Sequence, residues 1–138
     1  MEHRAATDAD LDLLAVWNRE LNEDERAENL LGVEPLRERM RGFLAGGYRA
    51  LIFEETGTPL GYALFRPDEN GVHLRQLFVD RAQRRRGIGR RIVERLRAEV
   101  FPRGVRVTVE VLVHNERALA FWRAVGFADH AVAMTRRS

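Results

Sequence analysis

The run Arg84-Arg85-Arg86-Gly87-Ile88-Gly89-Arg90 places two glycines inside a cluster of positive charge. An apolar segment, Leu77-Phe78-Val79, precedes it, and an amphipathic stretch follows. Glycine lets a backbone come close to a ligand because no Cβ stands in the way. The first turn of a helix adds unpaired N–H groups and the positive end of the dipole. Together these features suit a diphosphate. Neighbouring guanidinium groups supply counter-charge and forked hydrogen bonds. Two familiar phosphate loops do not fit. A P-loop needs Lys and then Ser or Thr after its second glycine, whereas Arg90 and Arg91 follow Gly89. A dinucleotide fingerprint needs a third glycine where Ile92 stands.

What remains is Arg84-x-x-Gly87-x-Gly89, and a second block lies downstream. Val111-Leu112-Val113-His114-Asn115 leads into Ala118, Phe121, Trp122, Gly126 and Phe127. In order and separation the two blocks resemble the pyrophosphate loop and the N-x-x-A-x-x-F-Y-x-x-x-G-F block of the GNAT superfamily of N-acetyltransferases. The resemblance covers roughly the C-terminal half of the chain. It implies acetyl-CoA as cosubstrate. Leu77, Phe78 and Val79 fall where the family uses backbone groups to hold the pantetheine arm and the acetyl carbonyl. Arg84, Arg85, Arg86, Gly87, Ile88, Gly89 and Arg90 would wrap the diphosphate. Asn115 matches the asparagine that hydrogen-bonds the pantetheine, although Asn is also a favoured helix N-cap. Phe121 matches a residue that packs near the cofactor, and equally suits a plain core. Trp122 departs from the pattern. The family often has Tyr there, whose phenol can protonate the leaving thiolate. An indole N–H donates a hydrogen bond but has no useful acidity. Water or another group would then serve as the acid, or none is needed.

Acetylating an amine also requires a base, because an alkylammonium must lose a proton before it attacks. Glu110 is the one acid inside the valine-rich segment 105–113, and alternation points it away from Val109 and Val111. Its bland alternative is an ion pair with a neighbouring arginine. His73, on the preceding strand, is the second candidate. By resemblance the acceptor is a primary amine of a small molecule or peptide. The segment that walls the family's acceptor site here carries Glu20, Glu23, Asp24, Glu25 and Glu28. A negative rim would draw a cationic amine; a solvated loop is the alternative. Two rival functions are an acyl-CoA-binding sensor without turnover and a nucleic-acid binder using Arg81, Arg84, Arg85, Arg86, Arg90 and Arg91. A formal net charge of only +2 argues against nucleic acid. So does the absence of stacking aromatics between those arginines.

Positioning these groups needs a folded domain, and 138 residues suffice for one core. We expect a single N-acetyltransferase (GNAT-like) domain over 1–138. The chain has no cysteine and, on reading, no lysine. That removes disulfides, thiol nucleophiles and Schiff-base chemistry. Four scattered histidines lack ligand spacing, so no metal is expected. Without a membrane-length apolar run or a signal-peptide pattern, we expect no membrane association and a cytoplasmic location. A homodimer is compatible with the resemblance. Thr7 with Asp10 reads as a capping box before a helix over about 8–21. Pro35 opens a second helix over about 35–45. Strands are expected over 2–6, 48–55, 60–66, 72–80 and 105–113, with a helix over 87–99 and another from Asn115 to Gly126. The tail 128–136 would add a closing strand. The expected class is α/β (α+β): a mixed, largely antiparallel sheet flanked by helices in the order β-α-α-β-β-β-α-β-α-β. By resemblance, the strands over 72–80 and 105–113 would splay apart beyond Val79, opening the cofactor cleft.

Overall fold

Alternating side chains in the strands sort the apolar residues onto two faces of one sheet. The computed structural model describes residues 1–138. Its five strands are β1 (Glu2–Ala5), β2 (Arg49–Glu55), β3 (Thr58–Asp68), β4 (Gly71–Val79) and β5 (Val107–Thr108), adjacent in that order. The first four form an antiparallel meander, and β5 joins β4 in parallel. Helices α1 (Leu11–Asp24) and α2 (Val33–Ala45) cover one face; α3 (Ile88–Arg95) covers the other. On the first face Leu11, Leu14, Trp17 and Met40 meet Ile52, Tyr62, Leu64 and Phe78. On the second, Ile88, Ile92 and Leu96 meet Phe53, Ala63, Phe65 and Leu74. Helix α4 (Glu116–Ala124) follows β5, and its Trp122 packs beside the second cluster.

The order agrees with the sequence expectation up to α4, with two corrections. The strand expected over 105–113 pairs with β4 only at Val72–Val107 and His73–Thr108. The tail after α4 forms no strand, and its Val132 and Met134 are exposed. Alternation reports which face a side chain would take, not whether a neighbour supplies hydrogen bonds. Val105, Val107 and Val109 do lie against the α3 cluster. Beyond them the backbone has no tail strand to pair with.

A bulge is the other local surprise. Leu64 opposes Gln76 while Phe65 opposes Leu74, which leaves Arg75 as the extra residue on β4. Bulges re-aim side chains, and no glycine or proline in the sequence marks this one.

At the start of the chain, Arg4 grips Asp10 with both nitrogens, at 2.8 and 2.9 Å, while the Thr7 N–H donates to the same carboxylate at 2.8 Å. This completes the expected capping box and ties β1 to the entry of α1. The Arg4 fork, opposed in part by desolvation, holds the Asp10 carboxyl down at about 2. A depressed folded pKa stabilises the native state above the unfolded pKa of about 3.8 and loses that contribution as pH falls through about 2. Because Arg4 is partly exposed, Asp10→Asn should cost about 1–2 kcal/mol at neutral pH. The difference from the parent protein should vanish in thermal melts as pH falls from 4 toward 2.

Candidate active site

Strands β4 and β5 part after His73 and Thr108, so Leu74 to Val79 run on without a β5 neighbour. The fork therefore opens about six residues earlier than expected. The Asp80 N–H donates to the Leu60 carbonyl at 2.8 Å. This makes Val79 and Gly61 a non-hydrogen-bonded pair in the antiparallel ladder. Leu77 and Val79 consequently turn their own N–H and C=O groups away from β3, toward the open edge. Phe78 does the reverse. Its backbone faces β3 and its side chain is buried against Trp17 and Tyr62. The sequence reading put three residues on the cofactor edge; the structure leaves Leu77 and Val79 there and sends Phe78 into the core.

The glycine loop closes the far end of this edge. Arg85 and Gly87 both adopt left-handed backbone, with φ of 67° and 69°. For arginine this conformation costs about 1–2 kcal/mol. Gly87 is the N-cap of α3, and a Cβ added to it would meet no atom within 4 Å. The N-terminal N–H groups of α3 at Ile88, Gly89 and Arg90 lack partners one turn earlier. The Ile88 side chain is buried in the α3 core. Gly89 has a different role: an added Cβ would lie 3.1 Å from the Phe121 ring. Its lack of a side chain thus seats α4 against α3, where the half-buried Phe121 packs.

The arginines divide into two sets. Arg81 contacts Glu20, Glu23 and Asp24, and Arg84 bonds Asp24 at 2.7 Å. Arg84 Nε also donates to the Val79 carbonyl at 3.0 Å. Arg86 and Arg91 share Glu55. Arg85 and Arg90 are exposed and have no acidic partner. A diphosphate at the N-terminus of α3 would find both of them free.

Across the fork, Val72 and Leu74 face α3, so His73 faces the α1/α2 side. Glu110 lies on that side too, and its carboxylate oxygen is 3.9 Å from His73 Nε2. That is too long for a hydrogen bond. His73 is mostly buried, whereas Glu110 is 86% exposed. Asn115 caps α4: its Oδ1 accepts the Ala118 N–H at 3.2 Å, which leaves its amide donors for another partner. Trp122 is half-buried between Phe121 and Phe127, edge to face with both.

The acidic rim differs from expectation. Glu20, Glu23 and Asp24 are paired with Arg81 and Arg84, whereas Glu28 is exposed and has no ion-pair partner. Glu25 stands apart as a half-buried carboxylate without an ion-pair partner, and burial, helped by nearby Asp24, pushes its carboxyl up. Its backbone carbonyl approaches His114 Nε2 at 3.3 Å. The sequence did carry a signal for it. Leu11, Leu14, Asn18, Leu21 and Glu25 recur at three- and four-residue spacing, so Glu25 ends the sheet-facing stripe of α1.

An open strand edge, a free helix N-terminus and unpaired arginines fit a long ligand with a diphosphate at one end. Comparison with known proteins gives the family. A peptidyl-lysine N-acetyltransferase of Escherichia coli (strain K12) is 29% identical over 119 residues, 84% of this chain and 74% of that protein. An N-alpha-acetyltransferase of Mycobacterium tuberculosis is 44% identical over 87 residues, 59% of this chain and 51% of that protein. Among solved structures, an aminoglycoside N-acetyltransferase in complex with CoA superposes with a TM-score of 0.74 at 17% identity, covering 99% of this chain and 93% of that one. The acetyltransferase (GNAT) profile matches residues 11–127. With that profile spanning both cofactor blocks, the fork and most of the sheet, the chain belongs to the GNAT acetyltransferase family, whose members use acetyl-CoA.

Proposed function

We propose that this protein transfers an acetyl group from acetyl-CoA to a primary amine of a peptide or small molecule. The observation that carries the reading is the Leu77–Val79 edge, which has no β5 neighbour and leads directly to the N-terminus of α3. The relatives named for peptidyl-lysine and N-alpha acetylation support an amine acceptor. Acetyl-CoA, when bound, supplies an acetyl group activated as a thioester. The chain's own groups do the rest. Leu77 offers its backbone N–H and C=O, and Val79 its N–H, to the pantetheine and the acetyl carbonyl, as an added strand would use them; the Val79 carbonyl already accepts from Arg84. The N–H groups opening α3, with Arg85 and Arg90, hold the diphosphate. Asn115 presents its free amide donors to the same ligand. His73 and Glu110 flank the fork on the acceptor side and take the proton from the attacking amine. Trp122 cannot replace a phenol as acid. A thiolate is a tolerable leaving group near neutral pH, so solvent suffices to protonate it. No helix is long and apolar enough to cross a membrane, and we place the reaction in the cytoplasm.

Trp122 also favours a second reading, an acyl-CoA sensor without turnover. One experiment separates the two. Calorimetry with acetyl-CoA, CoA and ATP, followed by thiol-release assays on an amine panel, should show acetyl-CoA binding over ATP and acceptor-dependent CoA release. Binding without release on any amine would leave the sensor. Absence of binding would remove both.

A further inference from the structure

The face of the sheet beside the fork carries an unusual group of arginines. Phe43 and Tyr48 pack edge to face with centroids 5.1 Å apart. Arg39 stacks on Phe43 at 5.2 Å, Arg66 on Tyr48 at 4.8 Å, and Arg75 lies over both rings at 4.7 and 5.8 Å. None of the three has a carboxylate oxygen within 4.0 Å. Glu38, the acid beside Arg39, instead serves Arg37 and Arg41. All three guanidinium groups belong to exposed residues. Stacking occupies the flat face of a guanidinium and leaves in-plane N–H groups for a carboxylate; one of those on Arg75, at Nη1, donates weakly to the Tyr48 hydroxyl at 3.4 Å. The rings also hold the side chains in place, which lowers the entropy lost on binding.

Their position links them to the fork. Arg75 is the bulge residue of β4, two residues before Leu77 and so about 7 Å away along the strand. Arg66 pairs in register with His73. The trio therefore borders the place where an acceptor amine would enter, on the same face as His73 and Glu110. Acids do occur around it: Glu110 lies at the fork, Glu25 closes α1, and Asp68 and Glu69 lie at the turn after Arg66. None pairs with the trio. Meanwhile three of the five acids that suggested a cationic acceptor, Glu20, Glu23 and Asp24, are paired with Arg81 and Arg84.

We infer that Arg39, Arg66 and Arg75 form an anion subsite, and that the acceptor carries a carboxylate within a few bonds of its reacting amine. This rests on the acetyl-transfer reading above and specifies its substrate class. The carboxylate could come from a free amino acid or from an acidic residue beside a peptide N-terminus.

The test compares thiol release with the C-terminal amides of alanyl-glutamate, alanyl-glutamine and alanyl-lysine, which carry no α-carboxylate, and with free glutamate, at one salt concentration. Alanyl-glutamate should exceed alanyl-lysine about tenfold or more in kcat/KM. The rank of free glutamate against the dipeptide identifies the source of the carboxylate. Arg75→Gln and Arg39→Gln should erase the ratio mainly through KM, with acetyl-CoA affinity unchanged by calorimetry. Transfer that ignores charge, or prefers alanyl-lysine, overturns the subsite while leaving acetyl transfer intact. Should no acceptor react, calorimetry of alanyl-glutamate on the CoA-loaded protein decides. Binding lost in Arg75→Gln upholds the subsite and removes the transfer reading; no binding overturns the subsite.

Discussion

Gly87→Asp abolishes measurable acetyl-CoA binding, and Gly87→Asn weakens it by more than about tenfold, while both proteins stay folded. The position makes this a clean experiment. Gly87 has φ 69°, a conformation that Asn and Asp tolerate better than other residues with a Cβ. A Cβ there meets nothing within 4 Å. The fold therefore loses on the order of 1 kcal/mol or less. An aspartate at this N-cap also interacts well with the dipole of α3. It would hold or raise the melting temperature while placing a carboxylate where the diphosphate belongs. Stability and binding thus move independently, and any large loss of affinity comes from the ligand side. Gly89 would not serve, because a side chain there strikes Phe121 and disturbs the seat of α4. Calorimetry and thermal melts on the two Gly87 variants are enough. If Gly87→Asp binds acetyl-CoA as the parent does, the glycine loop is only the start of a helix.

Those two glycines show how far the sequence could be read. Their spacing with Arg84 identified the loop, and alternation sorted the strands onto their faces. Neither pattern could say that Gly87 is conformational and open whereas Gly89 is a packing surface. That difference depends on where α4 comes to rest. The same holds for Leu77-Phe78-Val79. The motif marks all three, but only the ladder with β3 decides which residues turn their backbone outward. Segment 105–113 alternates over its whole length yet pairs at two positions, because pairing needs a neighbour that the tail does not provide. Arg75 was invisible as a site residue. It sits in a bulge without a sequence signature, and its partners are rings on α2 and just before β2. The acidic rim was legible as composition, but the pairing of three of its acids with arginines some sixty residues later is a property of the fold alone.

Glu110→Gln and His73→Gln should each lower kcat by about 10²- to 10³-fold while leaving the Kd for acetyl-CoA unchanged. Both side chains face the acceptor side of the fork, 3.9 Å apart, and neither touches the Leu77–Val79 edge. At that separation a proton leaving the ammonium can be shared only through a water or a small movement of either group. The mostly buried His73 is held in place by its strand, whereas the exposed Glu110 has room to move. A shared role predicts strong non-additivity: the double variant should fall little further than the worse single one. It also predicts that the rise of kcat/KM with pH flattens in both single variants. Glu25→Gln is the informative control. Its carboxyl is raised by burial, as a base working near neutrality would be, and it closes the α1 stripe on the same face. If Glu25→Gln alone removes the pH limb and the other two stay within about twofold of the parent, the proton goes to α1 rather than to the fork. The amine would then meet its base at the end of α1, on the same face of the sheet as the arginines at Phe43 and Tyr48. The three pH profiles therefore locate the base and fix the direction from which the acceptor enters.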